Sequence, residues 1–456
     1  MKKIWLLLVA AVAVIAAIGL FALPTGSEWT TDSEAALVEF ETALDAMKKL
    51  YHNDVQAHLE KALELDPDFA MAKLFLADHV RFDDEDRALR LWNDVLASDA
   101  SKLTPREVFF VNRTRAYQEK RFDDVEVMID EYLAKYPDDP WVLHQKALRT
   151  WALGDLEVAE KLNLRLIEIA PNWVISYNQL GYIAMASGRF VEAEEYFTSY
   201  RFVAPDQANP HDSLGELYII LGRYDEAETS LRQSISIKPD FWNAYDHLAL
   251  VRLLRQDVAG AEAIHAEAVS QPDCPDYWSR GIGCRVELTS LVLGERWREI
   301  LEMLADDSPC LEGHTSANAR VDAHLAACVL GEMEIALNIE NKIAETLEAK
   351  ESMGDKGDGE IFEAILSHLR GVRFAVEGDL EAAVEAFVRT DKQVTYMGAG
   401  NGLFKLYNRL LMVEALLATG DEGKAHKVLS KVRSVNPVIA ARFEEDGLRI
   451  LGLERE

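Results

Sequence analysis

Four prolines, Pro137, Pro171, Pro205 and Pro239, stand 34 residues apart, and Ala159, Ala193, Ala227 and Ala261 keep the same step. Gly181 and Gly215 share it, and Ala249 takes the third place. A fixed period of this length marks a chain built from repeated supersecondary units, none of which can bury its apolar face alone. Within each period, as in Asn178–Gly188 and Val191–Ala204, apolar residues recur at three and four spacing, the signal of amphipathic helices. A small residue at each Ala or Gly position marks a close helix–helix approach. Each Pro falls where a helix must stop, because it lacks an N–H and clashes with the preceding turn. The expected unit is therefore two short antiparallel helices.

Tyr177, Leu180, Gly181, Ala193, Phe197 and Pro205 in one unit, and Leu214, Gly215, Tyr218, Ala227 and Pro239 in the next, resemble the tetratricopeptide repeat. The resemblance implies an all-α fold, a right-handed α-solenoid of about ten to eleven helix pairs. It places an array at residues 36–275, regular over 106–275, and degenerate helical repeats at 276–456. A charged, Gly-bearing stretch, 350–360, is expected to be a flexible loop. Leu103–Glu107, Tyr136–Pro140 and Asn209–Tyr218 also look like one bacterial subgroup whose arrays often sit beside a kinase or a winged-helix domain, neither of which this chain has. That likeness implies fold and little about pathway.

Residues Ile4–Leu23 form an uncharged apolar run behind Lys2 and Lys3. Twenty helical residues span about 30 Å, a bilayer core, and the lysines favour the cytoplasmic side. Residues 1–27 are thus expected to be a signal anchor, with a cleaved signal peptide as the rival, and either puts the repeats outside the cytoplasm, in the periplasm. Apolar residues make up 49% of the chain and the formal net charge is −30. Such a surface repels nucleic acid and favours basic partners. Cys274, Cys284, Cys310 and Cys328 have no metal-type spacing, so they are either one or two disulfides or separate thiols.

No Walker loop, dinucleotide GxGxxG, HExxH or GxSxG occurs, and the histidines are scattered, so neither an enzyme nor a bound cofactor or metal is expected. In the resembled family the first helix of each pair lines a concave groove, and the second, fifth, ninth and twelfth positions of each unit look inward. Here these bring Trp141, His144 and Trp151, then Asn178 and Tyr182, then Asp212 and Glu216, then Asp246 to the groove. Asn178, Asp212 and Asp246 read as a polar ladder open to a ligand or as a solvated helix face, and Trp141, Trp151 and Tyr182 as grips for side chains. With no fixed cation at the fifth positions, an acidic C-terminal tail is not a fitting ligand. The chain is expected to be a membrane-tethered extracytoplasmic scaffold binding a protein or peptide. The alternatives are a ligand-sensing accessory domain coupled to a membrane enzyme, or an enzyme with an unrecognised site.

Overall fold

A computed structural model describes residues 28–81, 83–272, 274–305, 308–311, 316–352, 356–444 and 451. The apolar run Ile4–Leu23, expected to be an anchor or signal peptide, lies outside the described residues. Among the described residues no helix is long and apolar enough to cross a membrane. The described chain is helical without strands, and it divides into two compact units, Met1–Pro137 and Asp138–Glu456.

Unit 1 holds three helix pairs: α1 (Glu34–Lys49) with α2 (His52–Leu65), α3 (Ala70–Val80) with α4 (Glu85–Leu96), and α5 (Pro105–Gln118) with α6 (Phe122–Lys135). The array begins two residues before the position expected from sequence. Its core is aromatic: Trp29 is 2% exposed and packs on Phe40, Phe75 and Phe110 at ring separations of 5.3, 6.1 and 6.3 Å. Thr104 opens α5 with a capping box, its hydroxyl accepting from the Glu107 N–H while the Glu107 carboxylate accepts from the Thr104 N–H. The same Glu107 accepts the Thr30 N–H at 2.6 Å and the Thr30 hydroxyl at 2.7 Å, fixing the segment that leads into α1 against α5.

Unit 2 continues with α7 (Pro140–Ala152), α8 (Leu156–Ile169), α9 (Ile175–Ala186), α10 (Phe190–Val203), α11 (Asn209–Ile220), α12 (Tyr224–Ile237), α13 (Trp242–Leu254) and α14 (Val258–Val269). Pro171, Pro205 and Pro239 each fall two residues past the end of a second helix, as the period requires. Ala193 and Ala227 are fully buried, and a Cβ on Gly181 would come within 2.3 Å of the Phe197 ring. The small residues therefore mark the close crossing within each pair. Arg189, Arg223 and Arg255 reach back to Glu160, Glu194 and Glu228 on the preceding second helices, at 2.8, 2.7 and 2.8 Å.

The less regular half keeps the pairing: α15 (Asp276–Leu293) with α16 (Trp297–Met303), α17 (Ser316–Leu330) with α18 (Met333–Ser352), α19 (Lys356–Glu377) with α20 (Leu380–Gln393), α21 (Gly398–Ala418) with α22 (Glu422–Val435), and α23 (Pro437–Glu444). Residues 350–352 complete α18 and 356–360 open α19, so the loop expected over 350–360 is largely helix. Residues 353–355 lie outside the described residues. Cys284 and Cys310 form a disulfide, Cα to Cα 5.7 Å, which ties α15 to the turn Pro309–Leu311, while Cys274 and Cys328 are thiols.

Candidate functional site

The polar residues expected to line the groove from α9, α11 and α13 do not stand open to solvent. Asn178, Asp212, Glu216 and Asp246 are 6%, 2%, 7% and 8% exposed. Each is engaged by the next repeat along the array. The Ser213 hydroxyl donates to Asn178 Oδ1 at 2.9 Å, and the Tyr182 hydroxyl donates to Glu216 Oε2 at 2.6 Å. His247 Nδ1 lies 2.9 Å from Asp212 Oδ1, and its Nε2 lies 3.5 Å from Glu216 Oε1. Arg285 donates to both oxygens of Asp246, at 2.8 and 3.0 Å. The first three contacts join residues 34 or 35 apart, so the period itself puts the partners opposite each other. The expected ladder thus runs along the array and bonds repeat to repeat, because a buried carboxylate needs a partner.

The charges within it follow from burial and from these partners. Burial works against the His247 cation, yet Asp212 and Glu216 together outweigh it and raise its pKa well above that of a free histidine. Burial likewise opposes the Glu216 carboxylate, but His247, the Tyr182 hydroxyl and the Ala399 N–H lower its pKa. Burial raises the Asp212 pKa against the pull of His247. Beyond Asp246, burial pushes Asp322 up to about 7 although Arg285 works against it.

Sequence reading did not find what closes this face. Helix α21 lies against α11 and α9, roughly half the chain away in sequence. Its first turn donates the Ala399 N–H to Glu216 Oε1 at 2.7 Å, and a Cβ on Gly402 would come within 2.8 Å of Ile220 Cδ1. Asn436, fully buried between α22 and α23, donates to the carbonyls of Ile220 and Ile219 at 3.1 and 3.4 Å, while its own Oδ1 accepts the Ile439 N–H at 3.0 Å. Phe190 meets Tyr396 edge to face at 5.1 Å. Unit 2 therefore closes on itself, and part of the surface read as a groove for a foreign peptide carries the chain's own helix. Separations of 183 to 217 residues leave no mark on a 34-residue period, so no local signal announced these pairs.

Helix α7 differs. Trp141 is 9% exposed and packs edge to face on Trp173 at 4.9 Å, so it is core rather than a grip. His144 also lies against Trp173, and burial lowers its pKa to about 4. At the ninth and twelfth positions, however, Leu148 is 41% exposed and Trp151 is only half-buried, whereas Met185, Ile219 and Leu253 at the twelfth positions of later repeats are buried. Among the described residues no cluster of three His, Cys, Asp or Glu groups is arranged to hold a metal ion.

Residues 210–241 match the sequence profile of the tetratricopeptide repeat. No curated protein matches the chain by sequence. Among solved structures it is similar to a tetratricopeptide repeat protein of Parabacteroides merdae, at 14% identity and a TM-score of 0.36 over 64% of this chain and 99% of that one. It is also similar to a thermophilic tetratricopeptide-repeat protein of Thermus thermophilus, at 24% identity and a TM-score of 0.33 over 39% of this chain and 95% of that one. A third likeness is to YrrB, described as a tetratricopeptide-repeat protein with an unusual peptide-binding site, at 19% identity and a TM-score of 0.27 over 41% of this chain and 95% of that one. The described residues thus form an array of paired helices, of which residues 210–241 match a tetratricopeptide repeat.

Proposed function

We propose that this chain is a membrane-tethered, extracytoplasmic scaffold that holds a protein or peptide partner on the inward face of α7. The observation that carries the reading is the contrast along the array: Trp151 is half-buried where Met185, Ile219 and Leu253 at the same position are buried, and one turn away Leu148 is exposed where Tyr182 and Leu250 are half-buried and Glu216 is buried. An aromatic and an aliphatic side chain on a rigid helix are what peptide recognition uses as anchors. The net charge of −30 favours a partner rich in Lys or Arg. Two features support the location: Lys2 and Lys3 ahead of the apolar run Ile4–Leu23, and the Cys284–Cys310 disulfide, which persists in an oxidising compartment.

A photo-crosslinking residue at position 148, in native membranes, should capture a discrete protein. Trp151→Ala should reduce that capture about 30-fold, the effect of a hot-spot anchor worth about 2 kcal/mol, without lowering the melting temperature. Capture that is indifferent to both Leu148→Glu and Trp151→Ala would remove α7 from the interface. A C-terminal reporter active only in the cytoplasm would overturn the location.

A further inference from the structure

We infer that the seam between α11 and the α21–α23 segment is a latch: a closure that opens while the sequential helix pairs stay folded. This goes beyond the partner reading and needs no partner to be tested. The seam differs in kind from the packing within each helix pair, which is centred on small-residue crossings such as Gly181 against Phe197, with Ala193 and Ala227 fully buried, and from the joints between successive repeats, which join residues one period apart. The seam is pinned at its edges instead. Glu216 takes the first-turn N–H of α21, Asn436 takes the last carbonyls of α11, and Gly402 presents bare backbone to Ile220.

None of these contacts is needed for α21 to hold its own neighbours. Lys405 donates to the carbonyl of Val394 at 2.6 Å and Arg409 to Asp391 Oδ1 at 2.7 Å, and Asn408 donates to the Phe387 carbonyl at 2.9 Å. These bonds fasten α21 to α20 and its exit turn. Opening the seam breaks these polar pins, the Gly402–Ile220 approach and the Phe190–Tyr396 ring pair, and leaves both sides as folded helix pairs, which is the condition for sub-global opening. What it uncovers is the inward face around Tyr182, Glu216 and Ile220. That face now receives a helix with a glycine at the point of closest approach, so an uncovered face fits a helical segment with a small residue there.

Hydrogen–deuterium exchange on the full chain tests this. In the parent chain, 216–224 and 398–403 should exchange slowly. Gly402→Val places a branched side chain where Ile220 sits and should accelerate exchange in those two segments by ~100-fold, leaving α13, α14, α19 and α20 unchanged. Asn436→Ala removes a pin without adding bulk and should accelerate the same segments ~10-fold, as loss of buried hydrogen bonds does. If Gly402→Val does not fold, Asn436→Ala decides alone. Acceleration spread evenly over unit 2, or none at the seam in Asn436→Ala, overturns the latch, because the seam would then be part of one indivisible fold or would owe nothing to its pins.

Discussion

His247 sits between two buried carboxylates, and this sets a pH response. A group whose pKa is higher in the folded chain than its unfolded value of about 6.5 lends stability that is complete below that value. The contribution is lost as pH rises from there through the folded pKa, since the folded state then gives up a proton that the unfolded state has already released. Chemical denaturation of the parent chain and His247→Gln, from about pH 6 to 10, should show the parent losing stability faster than the variant. Curves that run parallel would mean that His247 is neutral between Asp212 and Glu216. Asp212 makes a second case. As a groove residue it would tolerate reversal to Lys with little loss. At 2% exposure and bonded to His247, Asp212→Lys should instead destabilise by about 3–5 kcal/mol, read from the denaturation midpoint.

Among the elements, α16 is the shortest helix of the paired array, seven residues from Trp297 to Met303. A helix of that length buries little: among its residues only Ile300 is fully buried. The disulfide supplies what the helix lacks, closing a loop of 26 residues between Cys284 and Cys310 across the cluster of Leu288, Leu291, Ile300 and Ala323. Cys284→Ser with Cys310→Ser should cost about 2–5 kcal/mol, measured by thermal or chemical denaturation under non-reducing conditions. The same change made by reductant should be comparable, and a parent chain whose stability ignores reductant would show that the bond does not form. In unit 1 the Thr104 capping box is a smaller brace, and Thr104→Ala should cost about 1 kcal/mol.

At the scale of the whole molecule, closure of unit 2 decides which surfaces are available. Removing residues 394–456 takes away α21 and the Asn436 pin together. The truncated chain should keep its helical circular dichroism per residue over α7–α14. It should also bind a hydrophobic dye that the parent excludes, since Tyr182 and Ile220 lose their cover. Equal dye binding by the two chains would show that the α21 segment covers nothing. Wholesale loss of helix would show that closure is a condition of folding. The distinction matters for the scaffold reading, because a partner reaching α9 or α11 must displace α21, whereas one bound at α7 need not.

The 34-residue period by itself determined the helix pairs, their turns at Pro171, Pro205 and Pro239, and the small residues at the crossings, because these depend on neighbours in sequence and on steric rules that hold at every repeat. It also placed Asn178, Asp212 and Asp246 on the inward side. What those side chains do there was set only by the tertiary structure. Residues one period apart lie opposite each other, so Tyr182 finds Glu216 and Asp212 finds His247, a pairing implicit in the sequence but visible only once the array is stacked. Nothing periodic links Glu216 to Ala399 or Ile220 to Asn436. Closure sums the small rotations of every intervening repeat, including the irregular ones after Cys274. A pattern that fixes each step leaves their sum to the packing of the whole.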